Sequence, residues 1–410
     1  MTEVDSHADF QWGRDMKRLI APTQAIAGAA ILSAACICAP ALAATPYTKV
    51  WTQQLGTTAH DRAEALAADG NGHVYLSGYT GNALVPPHSG GWDMFLTQYD
   101  TSGAEQWTDQ QGTSTHDLGH GLIADADGNA SLIGYTSAAL GGPHIGGVDA
   151  LIYRYDVAGN IEWSDQFGTT VEDAARGVTL DAAGNIYVTG YTHGSLGANN
   201  VGGEDAFLRK YDPNGNPLWT AQIGSAANER STGVAIDGLG NIYIGGRTQG
   251  QIGAAHAGGW DAFLARFDTA GNHIWTQQFG TTADDMGYRI AADSADHIYV
   301  TGTTAGVLGA ENAGGFDAFL RQFDPSGSEQ WTVQFGTPDY DSGFGISTDA
   351  LGRVYVTGDT EGALAGSNAG GMDVFLTRYD AAGAEHWLTQ FGSAGHDNSR
   401  LASVYPAFPR

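Results

Sequence analysis

The sequence predicts an all-β protein assembled from repeated four-stranded units, and three observations lead there. Tryptophan recurs at Trp51, Trp107, Trp163, Trp219, Trp275, Trp331 and Trp387, 56 residues apart at every step. Aspartate follows a Gly-Gly-x at Asp93, Asp149, Asp205, Asp261, Asp317 and Asp373, on the same lattice. Each period holds four short runs of β-forming residues and nothing with helical spacing over a full helix length. A period near 50 residues with several short strands is that of a β-propeller, whereas helical solenoids repeat at shorter intervals. Four strands make one blade. A lone blade that is apolar on both faces must be covered by neighbours.

One unit shows the elements in order. Gly177-Val178-Thr179-Leu180-Asp181 is short and small-sided. Asn185 to Tyr191 is rich in β-branched and aromatic residues, and Asp205 to Tyr211 alternates. Leu218 to Ile223 places Trp219 and Ile223 on one face. Between the first two runs lies Asp181-Ala182-Ala183-Gly184-Asn185, and between the last two Asp212-Pro213-Asn214-Gly215. In such turns the Asp side chain accepts backbone N–H groups and the Gly takes a positive φ. Thr192 to Gly203 forms a longer connection. Six complete units fit the chain, with a surplus Trp strand at 48–55 and a Trp strand plus an inner strand at 386–405. The expectation is a ring of six four-stranded antiparallel blades with its termini close together; seven blades is the alternative.

Residues 177–192, Gly-Val-Thr-Leu-Asp-Ala-Ala-Gly-Asn-Ile-Tyr-Val-Thr-Gly-Tyr-Thr, resemble the bacterial SBBP β-propeller repeat and are similar to the NHL repeat. The resemblance runs from about Trp51 to His396. It implies that the Gly-Val-Thr-Leu strand lines the central channel and that the Trp strand lies at the rim. It implies little about activity.

Composition narrows the partners. The formal charge is −27, and lysine occurs only at Lys17, Lys49 and Lys210. Such a surface repels phosphate backbones, so nucleic acid is not an expected partner. Met16-Lys17-Arg18, the apolar run Ala25 to Cys38 and Ala41-Leu42-Ala43 read as an export signal over 1–43, with Met16 as the functional start. The mature domain would then span 44–410, without an integral membrane segment, in a secreted, periplasmic or cell-surface location. Cys36 and Cys38 fall in the leader, which leaves no thiol chemistry.

Binding residues usually sit on loops held by a rigid scaffold. In a meandering blade the tight turns share one face. The long connections share the other with the inter-blade loops. The candidates lie on that long-loop face. One carboxylate per unit forms a first ring: Asp61, Asp117, Asp173, Glu229, Asp285, Asp341 and Asp397. Its readings are calcium, since hard cations take several carboxylate oxygens, or loop capping, which the regular recurrence favours. His60 and His116 precede two of these aspartates. A second ring interchanges His and Asn: His88, His144, Asn200, His256, Asn312 and Asn368. Asn cannot replace His as a strong transition-metal ligand, so a shared hydrogen bond is expected. Asp125-Ala126-Asp127-Gly128-Asn129 is similar to a calcium loop but lacks the later Glu.

No catalytic motif is present. The expected function is a non-enzymatic propeller that binds a protein or a polysaccharide. The alternatives are a hydrolase or lyase using residues that break the symmetry, such as His116, His120 and Glu172, or a structural surface component. A quinoprotein is a further alternative, because residues 156–163 resemble the tryptophan-docking element of that family, with altered spacing and without its vicinal cysteines.

Overall fold

The computed structural model describes residues 30–32 and 49–399. The expected export signal lies outside them except for strand β1 (Ala30–Leu32), which pairs antiparallel with β2 (Gln53–Leu55). The rest is six four-stranded antiparallel sheets, each a simple meander. They form a six-bladed propeller with blades at 61–111, 117–167, 173–223, 229–279, 285–335 and 341–391. No helix occurs among the described residues.

The third blade shows why. Its strands are Asp173–Leu180, Ile186–Thr192, Asp205–Tyr211 and Pro217–Ile223. The first packs against the first strands of the neighbouring blades and is therefore innermost. The Trp strand is outermost, as the family resemblance implies. Close approach of the paired first strand leaves a mark on the second. A Cβ on Gly190 would lie 1.9 Å from the Ala174 carbonyl oxygen, and the same lattice position is glycine in every blade.

Hydrophobic clusters straddle the blade boundaries. Ile133, Ala150 and Ile152 of one blade meet Ile186, Val188, Phe207 and Tyr211 of the next, all essentially buried. At the rim the indole of Trp163 donates to the Pro213 carbonyl of the following blade at 3.2 Å. Its ring lies on Gly215, which has φ +84° and where a Cβ would come within 2.6 Å of the indole. The turn glycine thus supplies both the left-handed backbone and the seat for the previous blade's tryptophan.

The tight turns follow the expected chemistry. Asp181 accepts the amides of Ala183 and Asn185, each at 2.9 Å, and the Asn185 side chain at 2.8 Å. Asp125 does the same for Asp127 and Asn129, and its second oxygen takes Arg154 and the Asn129 amide. The likeness to a calcium loop is therefore that of an ordinary turn.

Strand β2 is surplus to the six blades but not idle. Trp51 donates to the Thr101 carbonyl at 3.1 Å, and Gln53 to that of Gly103 at 2.6 Å. It occupies the place that an outer strand of a preceding blade would take. Because Trp51 and Trp163 are both half-buried and lie on the turn glycines Gly103 and Gly215, Trp163→Ala is expected to cost about 3 kcal/mol. Trp51→Ala is expected to cost a similar amount, as read from urea unfolding midpoints. A negligible loss at Trp51 would contradict this packing.

Candidate functional site

Two faces result from the meander, and the sequence candidates lie on the one that carries the long connections and the inter-blade loops. The first ring caps those loops. Asp117 is fully buried and accepts the Thr113 amide at 2.6 Å, the Thr113 hydroxyl at 2.9 Å and the Thr136 hydroxyl at 2.5 Å. Amide contacts of 2.5–2.6 Å recur at Asp61, Asp173, Glu229, Asp285, Asp341 and Asp397. Burial pushes the carboxyls of Asp117, Asp173, Asp285 and Asp341 above the usual range. Among the described residues no group of three or more His, Cys, Asp or Glu is arranged to hold a metal ion.

The histidine candidates do not converge. His88, His144 and His256 each place Nδ1 2.9–3.1 Å from Asp93, Asp149 and Asp261 respectively, pinning one long connection per blade. His116 accepts the Trp92 amide at 3.2 Å and lies against its ring at 4.8 Å. The same task falls to Asn228 and Asp284 in other blades. His60 is exposed.

The structure brings a different set together. Every innermost strand carries a β-bulge, which leaves one residue out of the ladder: Glu64, His120, Arg176, Thr232, Tyr288 and Phe344. A bulge re-aims its side chain, and these residues contact one another around the axis. His120 Nδ1 lies 3.8 Å from the Glu64 carboxylate. Arg176 donates to His120 at 3.1 Å. Thr232 donates to the Tyr288 carbonyl at 2.6 Å, and the Tyr288 and Phe344 rings are 4.9 Å apart. Arg289 donates to the carbonyls of Arg176 and Thr232. Six different residue types occupy this one lattice position, while the loops and turns around them recur.

Burial and the Arg176 guanidinium lower His120 to about 4, so its imidazole is neutral at pH 7 and can accept from Arg176. Beside the bulge lies a second row on paired strands. Arg62 contacts Glu64 at 2.6 Å and Tyr79 at 3.3 Å. Arg176 lies over the rings of Tyr135 and Tyr191 at 5.2 and 5.5 Å. Tyr191 donates to Glu172 at 3.2 Å. Arg230 pairs with both oxygens of Glu204, and Arg247 lies 5.0 Å from the Trp260 ring. Five arginines (62, 176, 230, 247 and 289) therefore gather at the channel mouth of a chain whose net charge is −27.

Of the symmetry-breaking residues named from sequence, His120 is in this cluster and Glu172 borders it. His116 belongs to the loop pins. The rest share one step of the 56-residue lattice, at which the residue type changes from blade to blade.

Fold and mouth together define a β-propeller whose recurrent frame surrounds a non-recurrent channel. Residues 162–197, 218–253, 274–309 and 330–364 match the SBBP beta-propeller repeat, so the central part of this β-propeller carries SBBP repeats. It is similar to the regulatory protein FlaEY of Caulobacter vibrioides, 29% identical over 228 residues, 49% of this chain and 22% of that protein. It is also similar to an uncharacterized WD repeat-containing protein of Acanthamoeba polyphaga mimivirus, 23% identical over 232 residues, 44% of this chain and 17% of that one. The matched stretch is thus about a fifth of the length of these curated relatives. A solved ulvan lyase bound to -[GlcA(1-4)Rha3S]- shares 12% identity, covering 82% of this chain and 84% of that one with a TM-score of 0.48.

The depressed His120 pKa has a consequence for stability. The unfolded imidazole, near its ordinary value of 6.5, binds protons that the folded one refuses down to about 4. Stability is therefore lost as pH falls from 6.5 towards 4. His120→Gln is expected to lose less over that interval than the unaltered protein, as followed by urea midpoints at stepped pH. Parallel acid limbs would refute the assignment.

Proposed function

We propose that the protein is an exported, non-catalytic propeller that binds a glycan chain across the channel mouth on its long-loop face. The supporting observation is the bulge position itself. A frame maintained through six blades surrounds a ring of Glu64, His120, Arg176, Thr232, Tyr288 and Phe344. A purely structural position would recur as the loop aspartates do. Partly exposed aromatic side chains border the ring, among them Trp92, Tyr135 and Trp260. Such rings offer apolar faces with polar edges to a partner of mixed character, and sugars have that character. Export rests on the leader-like residues 16–43.

A second reading follows from one contact. Glu64 and a neutral His120, 3.8 Å apart beside Arg176, are placed for proton transfer on an anionic substrate. This reading predicts product formation that stops in His120→Gln while glycan binding persists.

The binding reading is tested on a glycan array followed by titration of any hit. Replacing Tyr288 and Phe344 together by Ala is expected to weaken binding about tenfold, the loss that follows from 1.4 kcal/mol. Asn214→Ala, in a tight turn of the opposite face, should leave it unchanged. Equal effects of the two changes would remove the mouth from consideration.

A further inference from the structure

Arg247 stands apart among the mouth arginines. It lies on the second strand of the fourth blade, directly opposite Arg230 on the first. Like charges facing one another across a ladder repel. Arg230 is compensated by Glu204, which it grips with two nitrogens. That carboxylate, 4% exposed, also faces His193 at 3.6 Å. Arg247 gains no such partner. Only 7% of it is exposed, its Nε has no hydrogen-bond acceptor, and its Nη1 reaches only the thioether of Met286 at 3.6 Å. The Trp260 ring covers it from one side.

No other blade builds this pair. The residue equivalent to Arg247 is Tyr79, Tyr135, Tyr191, Thr303 or Asp359. An unpaired buried charge is costly, and removing one partner of a pair leaves just such a state. Burial and the nearby Arg230 and Arg176 guanidiniums hold Arg247 below the usual arginine range. A guanidinium with a buried, unpartnered Nε edge is shaped for a planar or tetrahedral oxyanion.

We propose that Arg247, flanked by Arg230 and Arg176, is an oxyanion subsite of the channel mouth that takes the carboxylate or sulfate group of an acidic saccharide. The identity of the charged group deepens the glycan reading and rests on it. The anion site itself stands without it. The bound oxyanion supplies the acceptor that Nε lacks and offsets the repulsion between the two facing arginines.

The probes are inorganic sulfate, glucuronate and methyl glucoside, each against sodium chloride at matched ionic strength. Melting temperature and calorimetric titration are the readouts. Sulfate and glucuronate should raise the melting temperature of the unaltered protein beyond chloride. That response should disappear in Arg247→Gln and persist, weakened about tenfold, in Arg247→Lys. With no anion present, Arg247→Gln should melt at or above the unaltered protein, because an uncompensated charge has been removed. A merely structural arginine would give the reverse. Glucuronate binding with methyl glucoside inert supports the acidic saccharide. Sulfate binding with glucuronate inert keeps the anion site and overturns the saccharide. Equal responses of the unaltered protein and Arg247→Gln, or no response to any anion, overturn the proposal.

Discussion

Crowding around the axis is the constraint from which the rest of the structure follows. Six inner strands converge there, and the backbone of each must pass its neighbours closely. A Cβ on Gly177 would lie 3.0 Å from the Thr232 carbonyl oxygen of the next inner strand. The bulge answers the same pressure by adding twist where the strand is narrowest. Once the inner strands are fixed, the remaining three widen outward, and apolar residues such as Ile186 and Phe207 fill the wedges between blades. The rim closes each wedge by placing a tryptophan on the next blade's turn.

Electrostatics is arranged in layers within that frame. The buried carboxylates of the loop face meet amides and hydroxyls, as at Asp117, so each inter-blade loop has a fixed shape. The histidines at 88, 144 and 256 brace the long connections against a second set of aspartates. These groups recur because every blade needs them. The channel mouth is different. Its arginines, its carboxylates and its one neutral imidazole are distributed unequally among the blades, which gives an otherwise acidic body a cationic, aromatic centre.

The fold was legible because its determinants repeat. A tryptophan every 56 residues and an Asp-x-x-Gly turn in each unit specify strand, turn and rim packing directly. Strand order within the blade needed only the small side chains of 177–180 and the family resemblance. The candidate site was less legible for the opposite reason. Repetition draws attention to residues that serve the frame, so the loop aspartates and the His/Asn positions stood out. His120 was visible as an odd residue, but Glu64, Thr232 and Phe344 have no signature by type. Their 56-residue spacing makes them one position of the lattice, but only the bulge, which depends on how neighbouring strands pair, shows that this position stands out of the ladder. The pairing of Arg230 with Arg247 is likewise a matter of register across a ladder.

The bulge also separates two kinds of heredity in one strand. A residue inside the ladder must fit its partner on the second strand, so changing it disturbs the blade. The extra residue has no ladder partner to satisfy. Its six occurrences share one lattice position around one channel, and none is tied into the ladder of the strand that bears it. A tandem duplication that copies a blade therefore also copies a position outside the ladder that faces a shared centre. Successive single substitutions at that position can rewrite the chemistry of the channel while leaving the ring intact.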